Sequence, residues 1–188
     1  MVEYVPIYFD VKYFYIKINK TLIRMEKDAV DEILDQWAEE RPELDTAALG
    51  VVIRVMTLYR SFHREATRAL EPLGLELWEY DVLSALRRQG EPFGLPASEL
   101  AKATELSGGA MTNRIDRLEE RGYVRRRQDT TDRRSVIVRL TAAGRRMIDE
   151  AIQYRLDAAR ESLRSLPAAD RTRLADLLRS AVLSAAED

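Results

Sequence analysis

Residues 105–141 read ELSGGAMTNRIDRLEERGYVRRRQDTTDRRSVIVRLT. Met111, Ile115 and Leu118 recur at helical spacing, Gly122 follows, and then come three consecutive arginines, a polar turn and the β-branched stretch 135–140. This order predicts an amphipathic helix ended by glycine, then a basic β-hairpin. A helix with a narrow apolar stripe and an arginine-rich hairpin beside it suits the major groove of DNA. A winged helix-turn-helix is therefore the leading reading, and the rest of the chain is placed around it.

Charge supports that reading through its distribution. The 188 residues carry a net charge of only −2. Residues 101–146 hold one Lys and eleven Arg against six acidic residues, a local +6 that leaves −8 elsewhere. A basic stripe on an acidic protein is an electrostatic footprint for nucleic acid, the bland alternative being a solvated charged surface. With no cysteine, disulfides and thiolate metal sites are excluded, and the single histidine, His63, argues against a histidine metal site or a serine–histidine triad. No catalytic residue, metal site or cofactor is expected. No apolar run reaches the ~20 residues a membrane span needs, so a cytoplasmic protein is expected.

Residues 1–24 differ in composition from the rest. They hold four of the eight tyrosines, and four of the five lysines lie at positions 12, 17, 20 and 27. They read as an atypical extension with Met25 as a possible natural start, or as an extra strand or arm. Residues 25–44 form an extra N-terminal helix, with Val30, Ile33, Leu34 and Trp37 at helical spacing and Arg41-Pro42 as its stop. Residues 45–72 form a long helix capped near Asp45 or Thr46 and stopped by Pro72 and Gly74. Residues 73–140 make the winged lobe: a helix over 77–86, a turn-rich connection over 90–96, a short helix ASELAKA opened by Pro96, a tight turn, the helix capped by Ser107, and the hairpin. Residues 141–188 form two more helices, the first about 25 residues long and broken by Pro167. The fold class is mainly α with a small β-hairpin wing (α+β). The terminal helices carry more apolar surface than so small a lobe can cover, which predicts a two-fold homodimer. Its two reading heads would lie about one DNA turn, roughly 34 Å, apart on a palindromic duplex.

On the wheel of residues 107–121, Gly109, Thr112, Asn113, Asp116 and Glu120 oppose the apolar stripe, with Arg117 to one side. Gly109 and the small polar residues allow close approach to base edges. Asn113 and Arg117 suit base or phosphate contacts, and Ser107 and Thr112 suit phosphates. At the hairpin tip, Arg133 is expected to reach into a minor groove while Asp132 holds Arg134. Arg114 does not fit the DNA face. It lies about 60° from the centre of the buried stripe and needs an acidic partner or a bound anion.

With these residues in view, the segment from about Leu49 to Ser184 resembles the MarR family of dimeric winged-helix transcription regulators. DTTDRRSVIVRLTAAGRRMID is similar to that family's wing and following helix, and SELAKATELSGGAMTNRIDRLEERGYV to its helix-turn-helix. The resemblance is closer to the urate-responsive branch, through DQWAEERPELD, EYDVL and GAMTNRIDRLE. That branch's ligand pattern implies Trp37, Asp81, Arg114 and Arg126 as an effector site. The implied function is a ligand-responsive repressor in which Asp81 pairs with Arg114 until a planar anion, urate or a related purine, competes for Arg114 and Arg126 and shifts the helix. A polycarboxylate or phenolic acid, or no effector at all, is the alternative. Each residue also has a plainer role: Trp37 as a staple, Asp81–Arg114 as a permanent ion pair, and Arg126 as a phosphate contact. An enzyme has no support in the sequence, and the arginines at 117, 133 and 134 speak against an interaction module that has lost DNA binding.

Overall fold

The fold is that of a computed structural model, which describes residues 14–18, 21–25, 27–104, 106–128 and 135–186, with side chains from residue 27 onward. The chain divides into two compact units, Met1–Ser61 and Phe62–Asp188.

In the first unit, β1 (Phe14–Ile18) pairs antiparallel with β2 (Thr21–Met25), so the foreign-looking segment carries a hairpin. Helix α1 (Ala29–Glu40) begins with a capping box. The Asp28 carboxylate accepts from the Val30 and Asp31 amides at 2.9 and 3.0 Å, and Asp31 accepts from the Asp28 amide at 2.9 Å. Helix α2 (Ala47–Leu70) starts where Asp45 accepts from the Ala47 amide. Arg54 on α2 bonds Asp28 at 2.9 and 3.0 Å and Asp31 at 2.7 Å. The Arg54 bonds hold the Asp28 carboxyl below the ordinary value of 3.8. Val30 is the one large apolar side chain fully buried here among the described residues; Leu49, Val52, Met56 and Tyr59 on α2 are all exposed.

The second unit takes the last turns of α2. Its helix ends in a 3₁₀ turn, Glu71–Leu73, with Gly74 in the left-handed region at φ 58°. Helix α3 (Leu77–Arg87) buries Val82, Leu83 and Leu86. The connection expected over 90–96 contains a third strand, β3 (Gly94–Pro96). Helix α4 (Ala97–Ala103) follows, α5 spans Gly108–Glu120, and β4 (Val124–Gln128) and β5 (Val136–Leu140) form the hairpin. The sheet order is β3-β5-β4, all antiparallel, with β5 central and Arg126 opposite Val138. Pro96 is the N-cap of α4 with extended ψ of 141°, not its first helical residue, because it also ends β3.

Helix α6 (Ala142–Ser162) is capped by Thr141, whose hydroxyl oxygen accepts from the Gly144 amide at 3.0 Å. It ends four residues before the expected Leu166, and α7 (Ala168–Ala185) begins after Pro167. The core runs from Leu70 through α3, α4, α5 and the sheet to Ile148 and Ala151 on α6. No residue of α7 is buried, and Leu177, Val182 and Leu183 are each at least 60 % exposed.

Candidate DNA-reading face and effector cavity

Helix α5 is docked by three nearly inaccessible side chains, Met111, Ile115 and Leu118. Its start is set by Ser107, whose Oγ accepts from the Ala110 amide at 3.3 Å. The opposite face presents Gly109, Thr112, Asn113, Asp116, Arg117 and Glu120 to solvent. A Cβ added at Gly109 would meet nothing within 4 Å, so glycine there is not required by the protein's own packing. The Thr112 hydroxyl donates to the Gly108 carbonyl of its own helix at 3.0 Å, which leaves lone pairs but no proton for an outside partner.

Two struts hold this helix against its neighbours. At its C-terminal end, Arg121 Nη1 donates to Glu79 Oε2 at 2.6 Å, and Arg121 Nη2 donates to the Gly74 carbonyl at 3.0 Å. Glu79 is 1 % exposed and also accepts from the Glu76 amide at 2.9 Å. Burial opposes the Arg121 charge, but the Glu79 carboxylate outweighs it and the pKa is raised. Along the flank, Arg126 of β4 is held by Glu119 and Asp116. Its amide and Nη1 donate to Glu119 at 2.8 and 2.7 Å, and Nη2 donates to Asp116 at 2.5 Å and to the Thr112 carbonyl at 3.3 Å. Burial again works against the charge, and the two carboxylates again raise the pKa. The neighbouring Arg125 and Arg127 are exposed, as strand alternation requires. The wing tip, with Asp132, Arg133 and Arg134, lies outside the described residues.

The junction of wing and α6 depends on a close approach. A Cβ on Gly144 would lie 2.0 Å from the Tyr123 carbonyl oxygen. Thr141 closes the same junction, its Oγ1 donating to the Gly122 carbonyl at 2.6 Å.

A cavity of about 310 Å³ opens between α3, the end of α4 and α5, lined by Tyr80, Asp81, Ser84, Arg88, Ala103, Thr104 and Arg114. Loss of hydration raises the Asp81 carboxyl above its ordinary 3.8, against the pull of Arg155, Arg114, Arg88 and His63. Asp81 and Arg114 thus share one cavity, but they form no ion pair in this structure. The Arg114 guanidinium lies instead 5.2 Å from the Trp78 ring centroid.

Of the three implied effector residues in the second unit, Asp81, Arg114 and Arg126, two are therefore assembled. Arg126 does not line the cavity. At about 100° per residue, its partners Thr112, Asp116 and Glu119 lie on one flank of the α5 stripe and Arg114 on the other. Trp37 belongs to the first unit, where its side chain is 43 % exposed. In place of Arg126 the cavity holds Arg88, which sequence reading passed over. Its signal was present: it stands seven residues after Asp81, two turns along one helix face. The Glu79–Arg121 pair had no such signal, because its members are 42 residues apart.

Residues 73–135 match the MarR family. The chain is 31 % identical over 149 residues to the HTH-type transcriptional regulator PecS of Dickeya dadantii, across 79 % of this chain and 90 % of that protein. The chain belongs to the MarR family. A mutant MarR from E. coli complexed with operator DNA is similar at a TM-score of 0.63 and 27 % identity, covering 77 % of this chain and 96 % of that one. A structure of Bordetella bronchiseptica BpsR, concerned with regulation of its DNA binding by 6-hydroxynicotinic acid, has a TM-score of 0.62 and 26 % identity. It covers 70 % of this chain and 98 % of that one. In this MarR-family chain α4 and α5 are the helix-turn-helix and β4–β5 the wing. MarR-family relatives are transcriptional regulators rather than enzymes, and this chain is a regulator of that type. Among the described residues no helix is long and apolar enough to cross a membrane.

Proposed function

We propose that the chain is a homodimeric repressor that binds a palindromic duplex in the cytoplasm and is released from it by a small planar anion. One observation carries this reading: α5 supplies both the outward face with Gly109, Asn113 and Arg117 and a wall of the cavity through Arg114. A ligand drawn to Arg114 acts on the same rigid element that reads DNA. It shifts the equilibrium only through different affinities for the two states.

Dimerisation is supported by the exposed apolar side chains Leu49, Val52 and Met56 of α2 and Leu177, Val182 and Leu183 of α7. DNA contacts are drawn from Ser107, Gly109, Thr112, Asn113, Arg117, Arg133 and Arg134. For the anion, Arg88 and Arg114 supply two charges against the single carboxylate of Asp81, a net attraction inside a partly dehydrated cleft. Urate is the first candidate. The BpsR relative, regulated by 6-hydroxynicotinic acid, supports a second candidate class, small heteroaromatic carboxylates.

The test is release of the purified protein from its own upstream duplex by urate and by 6-hydroxynicotinate. Duplex affinity is expected to fall steeply with salt, because phosphate contacts release counterions. Either anion should dissociate the complex, and Arg114→Ala should blunt that response. A monomer indifferent to the duplex, or a complex untouched by both anions, rejects the reading.

A further inference from the structure

Trp78 on α3 stands against two cations of the recognition helix. Its ring centroid lies 5.2 Å from the Arg114 guanidinium carbon and 4.8 Å from that of Arg117. The arginines are three residues apart, on the same flank of α5, and both meet one half-buried indole. Among the described residues neither guanidinium has an ion pair or a hydrogen bond. The other α5-contacting arginines differ: Arg121 is tied to Glu79 and Arg126 to Asp116 and Glu119. The indole is the shared seat of one cavity residue and one DNA-face residue.

We propose that Trp78 is a positioning residue that couples the effector cavity to the DNA-reading face, by dividing its ring between Arg114 and Arg117. This rests on the function proposed above and gives it a transmitting part. Two guanidiniums against one ring repel each other and compete for its π electrons. That competition leaves Arg117 loosely held and available to a phosphate or a base. An anion in the cavity draws Arg114 off the ring. Arg117 then has the indole to itself, binds it more tightly and withdraws from DNA. No large movement of α5 is required for this step.

The coupling is testable without the effector, because Arg114→Ala imitates the withdrawal of Arg114. In the wild-type background this substitution should weaken duplex binding about fivefold, the worth of an exposed cation–π contact. In a Trp78→Leu background it should have no further effect, and in Trp78→Phe, which keeps a weaker ring, an intermediate one. Equal losses in all three backgrounds overturn the proposal, since a bare charge effect is additive. The chain has two tryptophans, so Trp37→Phe leaves Trp78 as the sole emitter. Its emission in the free protein should change on Arg114→Ala and again on Arg117→Ala; no change in either overturns the shared seat, even if Trp78→Leu fails to fold. A wild-type chain that binds no duplex would sink the repressor reading instead, and the Trp78 emission would still decide the ring sharing.

Discussion

Glu79 and Arg121 form an ion pair of 2.6 Å in which the carboxylate is almost wholly buried and the guanidinium side chain is 36 % exposed. The pair pins the end of α5 to the start of α3. Its asymmetry decides how it fails.

Removing Arg121 strands a buried carboxylate, whereas removing the Glu79 charge leaves a cation that water can reach. Arg121→Ala should cost about 3 kcal/mol of stability and Glu79→Gln about 1 kcal/mol, by urea unfolding. Equal losses would show that the carboxylate is better hydrated than its burial indicates.

Gly109 faces solvent with space for a methyl group, in the first turn of α5. Gly109→Ala should leave stability unchanged or raise it by up to about 1 kcal/mol through helix propensity. It should still weaken duplex binding about tenfold or more, because the methyl occupies the space between helix and base edges. Unchanged affinity in a gel-shift titration would remove Gly109 from the interface.

Arg126 neutralises Asp116 and Glu119 on α5. Arg126→Ala should lower duplex affinity by exposing two carboxylates near phosphates, while anion binding measured by calorimetry persists. Loss of anion binding with duplex affinity intact would instead restore Arg126 to the effector site.

Two carboxylates respond to acid in opposite senses. The Asp81 pKa is raised in the folded chain, chiefly by lost hydration, so the native state holds that proton more tightly. Its contribution to stability falls as pH rises from the ordinary carboxylate value through the folded one. The Asp28 pKa is lowered by Arg54, so its contribution is present above the ordinary value and is lost as pH falls through the folded one. Thermal unfolding across the acid range should show Asp81→Asn losing the first dependence and Asp28→Asn the second. Asp81→Asn should also bind the anion more tightly at neutral pH, since it removes a like charge from the cavity.

The described helices and the hairpin were legible in the sequence because their signals are local. Met111, Ile115 and Leu118 recur at the helical period, Ser107 and Thr141 cap, and Gly122 takes φ 73° at the helix end. Strand β3 was not legible. Gly94–Pro96 has turn composition and becomes a strand only because Leu95 meets Val138 on the open edge of β5. Arg114 could be set apart from the outward face of α5 on the wheel alone, but its place beside the Trp78 ring could not, since Trp78 lies 36 positions earlier.

What the amino-acid order determined by itself is the family, the class of fold and the face of α5 turned to solvent, because periodicity and capping act within a few residues. The tertiary structure decided which arginine does which work. Arg114 and Arg88 share a cavity with Asp81, Arg126 is consumed by Asp116 and Glu119, and Arg121 by Glu79. A guanidinium's role depends on which carboxylate or ring stands within a few ångströms, and those neighbours come together only when α3, α5 and β4 pack around one core.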